Sequence, residues 1–239
     1  MRNTLFKHIF KDEIDSTSSY LIKEHNNLPN FTFVSTNYQS KGKGREDRQW
    51  ISTKSTNLLF SLLLKDKDLI KEYASISLCC AATIATYLIN KGIGKIEIKW
   101  PNDIYLNGKK LVGILLEGNI EEYLVIGIGI NVNQESFPND LHHPATSIYL
   151  ETKKKSSLDE LKKEIFECLC QELNLKNIRE KHYLNVVNKL NFLKNKIITL
   201  SINNEIKKGI ALDILEDNSL LVDCQGQKIK VISGEIEYE

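Results

Sequence analysis

Residues 99–117 read Lys99-Trp100-Pro101-Asn102-Asp103-Ile104-Tyr105-Leu106-Asn107-Gly108-Lys109-Lys110-Leu111-Val112-Gly113-Ile114-Leu115-Leu116-Glu117, a stretch that leaves its backbone few choices. Pro101-Asn102-Asp103 breaks two apolar segments, and Asn107-Gly108 is the strongest two-residue signal for a tight hairpin. The spacing predicts two antiparallel strands that bring Asp103 and Lys110 close together. Strand alternation sends Lys109 and Lys110 to opposite faces. A paired Asp and Lys is often only a structural salt bridge. Here the lysine precedes the apolar run Leu111-Val112-Gly113-Ile114-Leu115, which predicts a desolvated ammonium of raised value to a bound anion.

Around this hairpin the pattern predicts a helix over 17–27, strands near 31–38 and 57–64, and a long helix over 70–91. Strands near 96–100, 103–106, 110–118 and 122–131 follow. The order is mixed and the antiparallel strands cluster late, so the expected class is α+β, a mixed sheet flanked by helices. A polar break at 151–157 ends in Ser157 and Glu160, a capping-box spacing ahead of Leu161, Ile165, Phe166 and Leu169. Helices near 157–175 and 179–191 come next. From Lys196 onward, short alternating segments at 197–202, 206–215, 220–222 and 229–232 are separated by Asn203-Asn204, Asp217-Asn218 and Gln225-Gly226-Gln227. They predict a small β-barrel of SH3 size, and hence one unit over 1–194 and another over 195–239.

Composition narrows the partners. Lys and Arg number 32 against 31 Asp and Glu, a formal charge of +1, so no global field would hold the chain on nucleic acid or an anionic membrane. The first eight residues contain no apolar h-region, and no stretch approaches the ~20 apolar residues of a membrane span. A cytoplasmic protein is expected. Five cysteines, with Cys79-Cys80 adjacent and Cys168 and Cys170 at i, i+2, give no C-x-x-C spacing, which predicts free thiols in a reducing compartment. The five histidines form no H-x-x-x-H pattern and no mixed Cys/His cluster, so a structural zinc is not expected.

Two further segments carry chemistry. Gln39-Ser40-Lys41-Gly42-Lys43-Gly44-Arg45-Glu46-Asp47-Arg48-Gln49-Trp50 lies between predicted strands. Gly42 and Gly44 permit close backbone approach to an anion, and Lys43, Arg45 and Arg48 bring cationic donors to the same loop. The loop fits phosphate binding or a solvated connector, and it matches neither common phosphate-loop motif. Trp50 fits a base-stacking platform worth about 1–3 kcal/mol, or a buried anchor for the next strand. In Val125-Ile126-Gly127-Ile128-Gly129-Ile130-Asn131, alternating glycines inside an apolar strand imply close approach at one face, by a ligand or by a packed helix. Asn131 offers an amide able to read an adenine edge.

Together these segments resemble the biotin protein ligase family. The family's Gly-Arg-Gly-Arg-Arg-Gly-Arg-x-Trp loop corresponds to Gly42 through Trp50, and its Lys-Trp-Pro-Asn-Asp motif stands unchanged at Lys99 to Asp103. The lysine strand and the Gly-x-Gly-x-Asn strand follow at family spacing. Asp15-Ser16-Thr17-Ser18 resembles the family's Asp-Ser-Thr-Asn, and Gly234-Glu235-Ile236 adds support near the end. Two departures stand out. Asp47 replaces the third glycine and Lys43, the loop's second basic residue, replaces an arginine, which implies weaker hold on an adenylate, and Ser18 replaces an asparagine near the expected ureido site. The match begins by about residue 12, so a preceding winged helix and specific DNA binding are not expected.

The resemblance implies a class II synthetase-like catalytic domain that makes biotinyl-AMP from biotin and ATP with Mg²⁺ and passes biotin to a carrier lysine. The carrier would be a biotin carboxyl carrier protein or domain, of acetyl-CoA carboxylase, pyruvate carboxylase or a similar enzyme, and the ligase a homodimer through an edge strand. Lys110, Asp103 and Arg45 are the implied catalytic residues. Ser16, Thr17, Gln39, Lys43 and Lys110, with the Gly113, Ile114 and Leu115 backbone, would hold biotin. Gly42, Gly44, Arg45, Arg48, Trp50, Asn102 and Asn131 would hold ATP or the adenylate. A lipoate ligase shares the strategy but lacks this motif pair. A catalytically silent vitamin-binding module is the other reading, motivated by Asp47.

Overall fold

The chain enters the main sheet on β1 (Lys7–Ile14), turns through α1 (Thr17–Glu24) and a 3-10 turn, and returns as β2 (Thr32–Gln39), parallel to β1. The computed structural model describes residues 7–45, 48–202, 205–232, 234 and 236–238. Asp47, the Asn203-Asn204 turn and Glu235 lie outside the described residues. β3 (Asn57–Leu64) is buried at every position, as a strand covered on both faces must be. It pairs antiparallel with β2. Then come α2 (Lys67–Ile70), α3 (Tyr73–Asn90), β4 (Ile96–Lys99), β5 (Asp103–Leu106), β6 (Lys109–Asn119) and β7 (Tyr123–Asn131). The sheet order is β1-β2-β3-β7-β6-β5-β4, mixed as expected, with all pairs antiparallel except β1 with β2.

Helices cover both faces. α1 packs on β2, β3 and β7, burying Leu21 against Val34, Leu63 and Val125. On the other face α3 lies against β4, β5 and β6 and is covered by α5 (Leu158–Glu172), α6 (Leu175–Glu180) and α7 (Tyr183–Lys189), which follow α4 (Ile148–Thr152). α3 is long and apolar enough to cross a membrane by length and composition alone, contrary to expectation. Its apolar girth has another cause, since it is sandwiched between the sheet and a second helical layer.

The second sheet comprises β8 (Ile197–Ile202), β9 (Glu205–Ile214), β10 (Leu220–Cys224), β11 (Gln227–Val231) and β12 (Ile236–Tyr238) in the order β11-β10-β9-β8-β12. Every pair is antiparallel, an SH3-like arrangement. Three elements escaped the sequence pattern. β1 is an exposed edge strand with charges at Lys7, Lys11, Asp12 and Glu13, so no alternation survives, and α4 and β12 are too short to show a period. Two expected helices are each divided. The 70–91 helix is broken before Tyr73, with Asp66 capping α2, and 179–191 is broken where Lys181 adopts a left-handed conformation at φ 54°.

Asn218 locks the two sheets together. It sits at φ 65° in the turn between β9 and β10, and its carbonyl accepts from Trp100 Nε1 at 2.9 Å. Its side chain accepts from the Tyr183 hydroxyl at 2.6 Å and donates to Ser75 Oγ at 3.1 Å. Asn218→Ala leaves two buried polar partners unmet and strains the turn, so it should lower unfolding free energy by about 2–4 kcal/mol in urea titrations. A loss near zero would show that the Asn218 side chain does not help to hold the two sheets together.

Candidate active site

β6 and β7 run side by side with Gly113 opposite Gly129. A Cβ at Gly129 would lie 2.5 Å from Trp50 Cε2, and one at Gly113 2.7 Å from Trp50 Cζ3, so the indole rests across both bare backbones. At Gly127 a Cβ would meet Ser18 Oγ of α1 at 2.7 Å. The close approach inferred from the alternating glycines is therefore made by the chain itself, at one glycine by the loop tryptophan and at the other by a helix.

The basic loop folds back on itself to deliver that indole. Trp50 N donates to Gly42 O at 2.9 Å and Gly44 N to Arg48 O at 2.6 Å, with Lys43 bridged to Gln49 between them. Gly42 thus braces the Trp50 backbone. It stands apart from the cavity below, whereas Gly44, Lys43, Arg45, Arg48 and Trp50 line it. Arg45 donates to Asn102 Oδ1 at 3.4 Å and to Gly234 O at 3.3 Å, and Lys43 pairs with Glu117 at 3.1 Å.

That cavity, of about 220 Å³, also gathers Ser16, Thr17, Gln39, Asn102, Asp103, Lys110, Gly113, Ile114, Leu115 and Asn131. One end is a web of hydroxyls. Gln39 Oε1 accepts from Thr17 N at 2.8 Å and Thr17 Oγ1 at 3.0 Å, while Ser61 Oγ lies 2.7 Å from Thr17 Oγ1 and 2.9 Å from Ser18 Oγ. Ser16 caps α1. Asn102 is spent on positioning, since its amide donates to Ile114 O at 2.6 Å. Asn131 Oδ1 and Trp50 Nε1 are buried without hydrogen-bond partners, which leaves one acceptor and one donor for a ligand.

Lys110 Nζ lies 2.7 Å from Asp103 Oδ2, and Asp103 Oδ1 is buried with no partner. Lys109 points away, 3.6 Å from Glu151. The strongly desolvated ammonium is not the one expected. Lys110 is only partly buried, whereas Lys99, the first residue of the same motif, is buried, with 6% of the residue exposed. Burial brings the Lys99 ammonium down to about 8 despite the opposing pull of Asp103. Its Nζ contacts His143 Nε2 at 3.0 Å, and burial, followed by the Lys99 charge, brings that imidazole down to about 4. His143 is then neutral at pH 7 and accepts from Lys99.

Sequence reasoning left Ser61, Lys99, Leu141, His142 and His143 without a role, although all line the cavity. For Ser61 a signal existed, a lone hydroxyl within the apolar strand Asn57-Leu58-Leu59-Phe60-Ser61-Leu62-Leu63-Leu64. The histidines stand in an irregular segment with no period.

A mixed sheet covered on both faces, a basic loop closing over paired glycines and an SH3-like second sheet define a ligase-type scaffold. The chain belongs to the biotin/lipoate A/B protein ligase family, whose model matches residues 11–133. It is 38% identical over 147 residues to the bifunctional ligase/repressor BirA of Bacillus spizizenii, covering 59% of this chain and 45% of that protein. Against the biotin–[acetyl-CoA-carboxylase] ligase of Paracoccus denitrificans it is 32% identical over 126 residues, covering 49% and 51%. The chain thus spans about half the length of the curated relatives it matches. The biotin protein ligase of Aquifex aeolicus, solved with biotin and ATP, superposes with a TM-score of 0.85 at 26% identity, covering 98% of each chain.

Gly129→Ala should expel the indole, seen as a red shift of the Trp50 share of tryptophan emission in a folded protein; unchanged emission would mean that β7 yields instead. Lys99 supplies the pH test. Its folded value near 8 lies below the ordinary 10.5, so between these limits the unfolded chain binds more protons and stability rises with pH. Above the range in which the neighbouring His143 titrates, the unfolding free energy of wild type minus that of Lys99→Met should therefore be flat up to about pH 8 and climb toward pH 10.5. A difference that falls across this window would contradict the buried ammonium.

Proposed function

We propose that this chain joins biotin to a lysine of a carrier protein by way of biotinyl-AMP, with residues 1–194 as the catalytic unit and 195–239 as the small barrel. The observation that carries the reading is the Asp103–Lys110 pair at 2.7 Å, set between a hydroxyl web and a cationic loop. A ligand with a polar ring at one end and a carboxylate at the other spans that gap, and ATP brings phosphates to the loop. The structural neighbour solved with biotin and ATP supports the same choice.

In the first step a biotin carboxylate oxygen attacks the α-phosphorus of ATP and pyrophosphate leaves. Negative charge spreads over phosphoryl oxygens, so preorganised cations are the main device, each donor worth about 2.7–4 kcal/mol. Lys110 reaches the carboxylate and the α-phosphate, and Arg45 and Arg48 take the phosphate end. Trp50 and Asn131 face the adenine; Thr17, Ser16 and Gln39 face the ureido ring. In the second step the carrier lysine amine attacks the acyl carbon, AMP leaves with the bonding pair, and the amine loses a proton. Asp103, the carboxylate nearest Lys110, orients that amine and receives its proton. Mg²⁺ bound with ATP would supply charge neutralisation on the triphosphate, and the unpartnered Asp103 Oδ1 is an oxygen that would suit such a cation. The carrier is a biotin carboxyl carrier protein or domain, in line with the carboxylase ligase among the relatives.

Biotin-dependent pyrophosphate release tests this reading, with lipoate as the competing substrate. Lys110→Ala should cut release by about 100-fold or more, while Lys109→Ala changes little, circular dichroism showing both folded. Supplied biotinyl-AMP should partly restore carrier labelling by the Lys110 variant. Equal release by wild type and Lys110→Ala would overturn the assignment, and release with lipoate but not biotin would overturn the substrate.

A further inference from the structure

The walls of the cavity gather cations. Lys43, Arg45, Arg48, Lys99 and Lys110 line it, and among the described residues Asp103 is the sole acid that does. Asp103 already pairs with Lys110 at 2.7 Å, and Glu117 answers Lys43 at 3.1 Å. Lys99 is buried, its Nζ donating to His143 Nε2 at 3.0 Å with the Tyr238 ring 4.9 Å away. An ammonium carries three donors. Those beyond the His143 contact meet no acceptor among the described residues, although the side chain borders the cavity. Lys110 and Arg48 both bear on Lys99 and on His143 through their charge, so three cations converge on one place. Like charges held together away from water repel, and an anion between them removes that cost.

The sheet gives that place a direction. Its order runs β2-β3-β7-β6-β5-β4, with Gln39 and Ser61 of the hydroxyl web on β2 and β3, Lys110 on β6, Asp103 on β5 and Lys99 on β4. In-line displacement at phosphorus puts the entering and leaving oxygens on opposite sides. A carboxylate that comes from the web and meets Lys110 over β6 therefore sends the leaving group on toward β4, two strand spacings or about 9–10 Å further. We propose that Lys99 donates to the β- and γ-phosphoryl oxygens of ATP and receives the pyrophosphate as it leaves. When the bond from the α-phosphorus to its bridging oxygen breaks, the electron pair stays on that oxygen and the departing group gains one negative charge. A fixed donor kept out of water acts most strongly at that moment. The identity of the anion rests on the ligase reading, whereas the anion site does not.

The test is calorimetric titration with inorganic pyrophosphate, AMP and biotin in turn, without added metal, so that the protein's own cations are read. Lys99→Met replaces the ammonium with an apolar chain of similar length, and Lys99→Gln gives the same comparison should circular dichroism show the first variant unfolded. Pyrophosphate binding should weaken at least tenfold and biotin binding stay within twofold. AMP, which carries the α-phosphate alone, should lose less than threefold. In the reverse reaction, ATP formation from biotinyl-AMP and pyrophosphate, the KM for pyrophosphate should rise at least tenfold. Lys109→Met, on the other face of the strand, should match wild type in each titration. Equal pyrophosphate affinity in wild type and the Lys99 variant would overturn the proposal, as would an equal loss for AMP. A loss confined to biotin would also overturn it, by giving the ammonium to the biotin carboxylate. If wild type releases no pyrophosphate with biotin yet binds pyrophosphate through Lys99, the ligase reading fails and the anion site stands.

Discussion

The contact on which the site depends is an indole lying across two glycines. Because Gly113 and Gly129 face each other on β6 and β7, the sheet presents bare backbone where neighbouring positions carry Leu, Ile or Val. Trp50 takes up that space, and in doing so closes the basic loop over the sheet. Two glycines in strand interiors cost about 0.5–1 kcal/mol each against alanine. That cost is local and modest, and it sets the distance between the loop's cations and Lys110, whose Nζ lies 5.9 Å from the Trp50 ring.

Three lysines of one motif region show how environment separates groups of the same charge. Lys109 is solvated beside Glu151, Lys110 is half-buried on Asp103, and Lys99 is enclosed by Tyr238 and His143. For Lys99 a fall from 10.5 to about 8 corresponds to about 3 kcal/mol between its charged and neutral forms. Burial outweighs the attraction of Asp103, its register partner across β4 and β5. A chain that carries such a charge at neutral pH keeps a cation at the cavity wall that solvent does not screen.

What the sequence revealed and what it concealed divide along physical lines. β3 and the hairpin of β5 and β6 were legible because their signals are local, a run of buried apolar residues and an Asn-Gly turn. The Lys110–Asp103 pairing followed from that hairpin. β1 was hidden because an edge strand with one partner needs no apolar face, and charges there guard an open edge. Desolvation was assigned to Lys110 because apolar residues follow it in sequence. Burial is decided by what covers a side chain, and Lys99 is covered by His143 and Tyr238, remote in the chain. The histidines failed every local spacing rule for the same reason, since their carboxylate neighbour comes from β12.

Those remote contacts share a source, the second sheet. Asn218 accepts the Trp100 indole N–H, Gly234 O accepts from Arg45, and Tyr238 flanks Lys99. Trp100 precedes Asn102 and Asp103 in the turn that leads to Lys110, so the SH3-like sheet bears on the lysine strand and on the basic loop from one side. A small sheet of short strands has little core of its own, and here its buried residues Ile198, Leu200, Val222 and Ile236 merge with the main core. The stability it draws from that merger and the geometry it imposes on the site are carried by the same contacts. A change that loosens the second sheet therefore reaches the turn at Pro101-Asn102-Asp103 before it reaches the central strands, because β3, β6 and β7 are braced by α1 and α3 independently of it.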